Sequence, residues 1–325
     1  MDASWPGDAA MHVPATEGLD LVVAVVGPTA TGKSDLAIAL ARRLGGEVVG
    51  ADASQLYRGM DIGTAKVPEA EREGVPHHQL DVLDVTQEAS VAAYQRHARA
   101  DIEAILARGR LPVVVGGSGL YVRAALDRLE IPPTDPEVRA ALQQRLDREG
   151  VATLLAELRA ADPRAAAAIE PNNGRRVVRA LEVVALTGRP FSATMPTREF
   201  VRPTVLVGLR TDREALDTRI ERRAARMFDA GLVEETRALV DLGLRQGRTA
   251  SRAVGYAQAL AVIDGTMAPA DAVADTVLRT RRLVRRQESW FGADPRVSWF
   301  DPLEGHWDDL VDRVVEHVTH NGAHG

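Results

Sequence analysis

The sequence predicts an α/β fold: a parallel sheet flanked by helices, interrupted by an inserted all-helical domain. Short, mainly apolar runs at Leu21–Val26, Leu111–Val115 and Pro203–Leu209 read as strands buried on both faces. Helically spaced segments alternate with them, the first placing Leu36, Ala37, Leu40, Ala41 and Leu44 on one stripe. From about residue 124 to residue 200 the alternation stops and only helical patterns remain.

Between the first strand and the first helix lies Gly27-Pro28-Thr29-Ala30-Thr31-Gly32-Lys33-Ser34. It matches the phosphate-cradling pattern G-x-x-x-x-G-K-[ST], in the strand-loop-helix setting that pattern needs. Glycines let backbone N–H groups turn onto an anion, and the new helix adds its positive end. Lys33 would reach the terminal phosphate oxygens, and Ser34 has the hydroxyl that helps hold Mg2+. The expected core is therefore P-loop NTPase-like and spans residues 21–123 and 201–325, with the insertion at 124–200.

At 325 residues the chain is long for one domain, which agrees with a core plus an insertion. It contains no cysteine, so disulfides and thiolate metal sites are excluded, as suits a reducing cytoplasm. Residues 1–20 have neither a basic start nor an apolar stretch, and read as a disordered extension rather than an export signal. A cytoplasmic protein with no membrane segment is expected. The net charge of −6 argues against an overall basic protein, but arginines are bunched while acids are spread.

A second strand, Glu47–Gly50, runs into the polar segment Asp52 to Lys66. Ligands of open α/β sheets lie beyond the carboxyl ends of strands, so Asp52 is the first catalytic candidate; a helix N-cap is its plainer alternative. Lys66 is a second phosphate ligand or a solvated loop lysine, and the adjacent His77 and His78 read as strand-edge packing rather than metal ligands. Val91–Ala107 is helical, and the strand at Leu111–Val115 ends in Gly116-Gly117-Ser118-Gly119-Leu120-Tyr121. Nucleotide hydrolases place an acid at such a strand end, so phosphoryl transfer is not the obvious chemistry.

Insertion helices are expected at Glu137–Arg148, Val151–Ala160, Pro163–Ile169 and Gly174–Leu186. After the strand to Leu209 come helices at Thr211–Ala230, Val233–Leu242, Arg252–Ile263 and Pro269–Phe291, a strand at Val297–Phe300 and a helix from Trp307. Arg219, Arg223 and Arg226 share one helix face, where like charges repel by about 0.2–0.5 kcal/mol per pair unless an anion joins them. Arg175, Arg176 and Arg179 cluster in the insertion, and Arg279 to Arg286 holds five arginines ahead of Gln287, Trp290 and Phe291. Basic residues followed by aromatics suit a nucleic-acid backbone with unstacked bases. Each cluster alone reads equally well as a solvated face with local ion pairs.

Taken in order, six blocks make the chain resemble the tRNA dimethylallyltransferases, also called tRNA isopentenyltransferases, from about residue 21 to 300. They are the loop Gly27 to Ser34; Asp52 to Lys66, ending in Met60-Asp61-Ile62-Gly63-Thr64-Ala65-Lys66; the Gly116 to Tyr121 turn; Arg175 to Val183; Arg252-Ala253-Val254-Gly255-Tyr256; and Arg281 to Phe291. The resemblance implies transfer of a dimethylallyl group from its diphosphate to N6 of the adenosine 3′ of the anticodon, in tRNAs reading codons that begin with U. It also implies roles. Loop residues Gly27, Pro28, Thr29, Ala30, Thr31 and Gly32, with Lys33 and Mg2+ held partly by Ser34, would cradle the diphosphate. Arg223 would clamp its other side, and Asp52 would be the general base.

RNA contacts implied by the same blocks fall on Asp52, Ala53, Ser54 and Gln55, on Ser118 beside the incoming base, and on Arg175, Arg176 and Arg179. Further contacts fall on Arg252, Gly255 and Tyr256, and on Arg282, Arg286, Gln287 and Trp290, with the insertion closing on the anticodon stem. Ala53 stands where many members have Ser, Arg175 where many have Gln, and Ser34 and Ser118 where Thr is common. An adenylate isopentenyltransferase acting on free AMP, ADP or ATP, a P-loop small-molecule kinase and a non-catalytic nucleotide-sensing RNA-binding module are the rival readings. Nothing in the implied mechanism needs a second subunit, so a monomer is expected.

Overall fold

The computed structural model describes residues 20–194 and 198–322. Apart from Asp20, the extension expected to be disordered lies outside the described residues. In chain order the elements are β1 (Val22–Val26), α1 (Lys33–Leu44), β2 (Gly46–Gly50), β3 (His77–His78), α2 (Val91–Ala107), β4 (Leu111–Gly116) and α3 (Gly119–Leu126). Next come α4 (Pro136–Glu149), α5 (Val151–Ala161), α6 (Pro163–Ala168) and α7 (Gly174–Thr187). The chain continues through β5 (Thr204–Leu209), α8 (Arg213–Asp229), α9 (Leu232–Asp241), α10 (Tyr256–Ile263), α11 (Pro269–Gly292), β6 (Val297–Phe300) and α12 (Trp307–Gly322). Two compact units result, one running to Leu126 and resuming at Arg202, the other spanning Asp127–Val201.

The first unit is built on one parallel sheet of order β3-β2-β4-β1-β5-β6. Its central strand β1 is buried along its whole length, which is why that stretch is apolar without alternation. Val23 and Val25 join Leu36 and Leu40 of α1 and Leu310 and Val311 of α12 in one core cluster. Each such side chain removed from water contributes about 1.5–3 kcal/mol. In the parallel register Gly50 pairs with Val115 and Gly116 with Val26. The loops after β2, β4 and β1 therefore leave the sheet at one level, bringing Asp52, Ser118 and the glycine loop to one edge.

Tyr94 of α2 pins that edge: its hydroxyl donates to the Gly50 carbonyl at 2.9 Å, and its ring lies 4.7 Å from that of Tyr121. Burial raises both phenol pKa values, Tyr121 to about 12, so both hydroxyls stay protonated. At the other end of β2, Glu47 is buried and accepts from Arg108 at 2.7 Å, with His78 Nε2 also 2.7 Å away. Burial alone would raise its carboxyl pKa, but Arg108 and His78 together hold it below the ordinary value.

The second unit is helical, with Leu142, Leu154, Leu158, Ile169, Val177 and Leu181 in its core. Glu182 is fully buried in it and accepts from Arg139 at 2.8 Å, Arg179 at 2.9 Å and the Asp135 backbone at 2.9 Å.

Two elements differ from the sequence expectation. The Gly116 to Tyr121 stretch, read as a turn, holds the start of α3. The helix expected from Arg252 begins only at Tyr256, because Gly255 sits at φ +95° and breaks the path, leaving a 3-10 turn at Ala250–Arg252. Among the described residues, no helix is long and apolar enough to cross a membrane.

Candidate active site

The glycine loop joins β1 to α1 with three residues at positive φ: Gly27 at 131°, Ala30 at 67° and Gly32 at 89°. A side chain at Gly27 is impossible, since its Cβ would lie 2.3 Å from the Leu209 carbonyl oxygen of β5. Thr31 is buried and donates its hydroxyl to the Pro28 carbonyl at 2.9 Å, folding the loop on itself. Lys33 and Ser34 fall in the first turn of α1, whose N–H groups have no helical partners. Burial and then the Arg223 guanidinium lower the Lys33 ammonium to about 7, and Asp52 partly offsets them. Burial likewise works against the Arg223 charge, which Asp52 supports and Arg226 opposes. Two cations so placed, with one carboxylate between them electrically, form a site that gains from a polyanion.

Beside the loop opens a cleft of about 320 Å3. Its polar lining includes Thr29, Asp52, Ser54, Ser118, Arg223 and Arg252. Its apolar lining includes Ile220, Ala224, Met227, Val254 and Leu283. Asp52 follows β2, and its Oδ1 accepts the Ser54 N–H at 2.9 Å. It caps a turn, not a helix, and that single bond orients the carboxylate while leaving Oδ2 for other work. Ala53 is half-buried in the same turn. Gln55 is half-buried too, and its amide donates to the Thr64 carbonyl at 3.2 Å. Arg223 donates to that same carbonyl at 3.4 Å.

Thr64 is in turn held from behind. Tyr256 is fully buried; its hydroxyl donates to Glu235 at 2.5 Å and accepts the Gly63 N–H at 3.2 Å. Gly255 is buried beside it. Both were expected to touch RNA, but both are buried, and Tyr256 instead braces the Gly63–Thr64 segment on which Arg223 rests. Lys66 is neither a phosphate ligand nor a solvated lysine, being buried between Asp61 and Asp81 at 2.6 Å each. Arg179 is likewise occupied, by Glu182 and by the Pro132 and Pro133 carbonyls. Gln287 is buried, its amide shared between the Thr29 N–H and the Gly117 carbonyl.

Other expected contacts stay available. Arg175 and Arg176 are exposed on α7, and Arg282 and Arg286 on α11. Trp290 is 44% exposed, with its indole against Gly119, next to Ser118. Sequence reading missed the apolar wall of Met227 and Leu283 and the strut Glu235. Nothing local marks them, since their partners come from distant elements. Among the described residues no group of three or more acids, histidines or cysteines could hold a metal ion. A cation here would rest on the Ser34 hydroxyl and on phosphate oxygens, a donor set suited to Mg2+, which binds through few protein ligands.

Together these features define a class: a parallel α/β enzyme with a phosphate loop, whose β4 ends in glycines and serine where a hydrolase has an acid. A family model described as IPP transferase matches residues 55–294, and the chain belongs to that family. It is 62% identical over 280 residues to a tRNA dimethylallyltransferase of Nocardia farcinica, covering 86% of this chain and 90% of that one. A protein of the same description from Streptomyces avermitilis is 59% identical over 291 residues, with 90% and 92% covered. Among solved structures, a full-length tRNA isopentenylpyrophosphate transferase from Bacillus halodurans matches with a TM-score of 0.70 and 39% identity, covering 94% of this chain and 97% of that one. A eukaryotic dimethylallyltransferase acting on tRNA matches with a TM-score of 0.79 at 25% identity, covering 93% and 79%.

Proposed function

We propose that the chain transfers a dimethylallyl group from dimethylallyl diphosphate to N6 of the adenosine 3′ of the anticodon in tRNA. The observation that carries this reading is the gathering of Asp52, Ser118 and Arg223 around one cleft beside the phosphate loop. The loop amides, Lys33 and Arg223 would hold the diphosphate and stabilise the charge that grows on it as the allylic C–O bond breaks. Ile220, Met227 and Leu283 would face the hydrocarbon. Adenine, turned out of its stack at a cost of a few kcal/mol, would enter beside Ser118. Its amino nitrogen forms the new bond to the allylic carbon, diphosphate leaves, and Asp52 Oδ2 takes the proton. Mg2+, coordinated in part by Ser34, would supply further neutralisation of the leaving diphosphate.

Placement does most of this chemistry, since an adenine amino group is a weak nucleophile; alignment can supply on the order of 7 kcal/mol. The glycines after β4 fit, because no water has to be directed at phosphorus. The test supplies radiolabelled dimethylallyl diphosphate and Mg2+, without ATP, to an unmodified anticodon stem-loop and, in parallel, to AMP. Label on the RNA alone is expected. Label on AMP alone would mean the free-nucleotide enzyme, and label on neither would return the kinase reading, checked by ATP consumption.

A further inference from the structure

Gln287 was expected on the RNA-facing side of α11, yet its side chain points inward and is 7% exposed. Its Oε1 accepts the Thr29 N–H of the phosphate loop at 2.9 Å, and its Nε2 donates to the Gly117 carbonyl at 3.0 Å. One amide thus spans two loops that are far apart in sequence. The Thr29 loop would hold the leaving group, and the Gly117 turn continues directly into Ser118, beside which the acceptor base would enter. Gly117 makes room for the bridge: a Cβ there would lie 2.3 Å from Gln287 Nε2. Each end of the amide is thus held by a backbone partner, with one N–H and one oxygen lone pair remaining, and the Thr29 amide is not offered to an anion.

We propose that Gln287 is a positioning residue, fixing the separation between the phosphate loop and the Ser118 turn and hence the approach of the amino nitrogen to the allylic carbon. This rests on the functional reading above. A bridge of this kind acts on the relative placement of two bound substrates, where an error of about 1 Å can cost about 100-fold in rate. It contributes little to holding either substrate alone.

Three roles for Gln287 give three different readouts. The experiment measures single-turnover transfer to the anticodon stem-loop by the full chain, with separate dissociation constants for the stem-loop and for inorganic diphosphate. For Gln287→Met the rate is expected to fall about 100-fold while both dissociation constants stay within about threefold. Gly117→Ala, which pushes the amide aside without deleting it, is expected to lower the rate in the same way and covers the case in which the first variant fails to fold. Transfer at the wild-type rate in either folded variant overturns the proposal. So does a rate loss fully recovered by saturating RNA, which would make Gln287 an RNA contact, or by saturating diphosphate substrate, which would make it part of the anion site. An inactive wild type overturns the functional reading and this inference with it, whereas altered binding in the variants of an active wild type overturns the inference alone.

Discussion

The Tyr256 hydroxyl donates to Glu235 at 2.5 Å while accepting the Gly63 N–H at 3.2 Å, and the second Glu235 oxygen takes the Ile62 N–H at 2.9 Å. The segment that carries the Thr64 carbonyl, on which Arg223 rests, is therefore hung from α9 and α10. Tyr256→Phe removes the hydroxyl and leaves Gly63 without its acceptor. A loss of about 1–3 kcal/mol in stability is expected, read from the urea midpoint, with RNA affinity unchanged at temperatures where the variant is folded. A weaker RNA complex at full stability would place Tyr256 back on the RNA surface.

Lys33→Met should separate function from stability. Transfer is expected to fall by about 100- to 1000-fold, as for loss of one donor to a developing anion. The ligand-free variant is nevertheless expected to melt higher than the wild type at pH 7. The Lys33 pKa is lowered to about 7 in the fold from 10.5. Between those values the unfolded chain keeps a proton that the native chain has lost, so wild-type stability rises with pH across that window. The advantage of the variant should shrink from pH 7 toward pH 10, and a gap independent of pH would contradict the assignment.

At the opposite end of β2, Glu47→Gln should cost about 1–3 kcal/mol at pH 7 by removing the buried carboxylate that accepts from the half-exposed Arg108. The Glu47 carboxyl is held below its ordinary 4.5, so its contribution is complete above that value and is lost as pH falls through the lower, folded value. The difference between the two denaturation curves should begin to shrink as pH falls below 4.5 and vanish once pH is below the lower, folded value. Transfer activity should be unaffected, because Glu47 lies at the end of the strand away from Asp52.

Replacing Arg282 and Arg286 together by Ala should weaken stem-loop binding. Loss of two phosphate contacts should also reduce the slope of log K against log salt by about 1.5. Inorganic diphosphate affinity should not change. An unaltered salt slope would leave the exposed face of α11 as solvated charge.

The glycine loop, the strand at Leu111–Val115 and the helical character of residues 124–200 were legible because periodicity and glycine spacing are local signals. α3 was not: at eight residues, with Tyr121, Val122, Ala124, Ala125 and Leu126 all buried, it shows no 3.6-residue stripe. Asp52 was readable from its place after a strand. Tyr256, Arg179 and Gln287 misled for one reason. Each is polar and sits in an arginine-bearing block, but its side chain is engaged by partners that the block does not reveal: Glu235 and Gly63, Glu182 and Pro132, and Thr29 and Gly117.

Single-turnover transfer by Asp52→Asn tests the general-base role of Asp52 most directly. Asparagine keeps an oxygen for the Ser54 N–H, which Asp52 now holds at 2.9 Å, so the turn should survive. The rate is expected to fall by about 100- to 10,000-fold, with stem-loop and inorganic diphosphate affinities within about twofold of wild type. Transfer at the wild-type rate by Asp52→Asn would contradict that role.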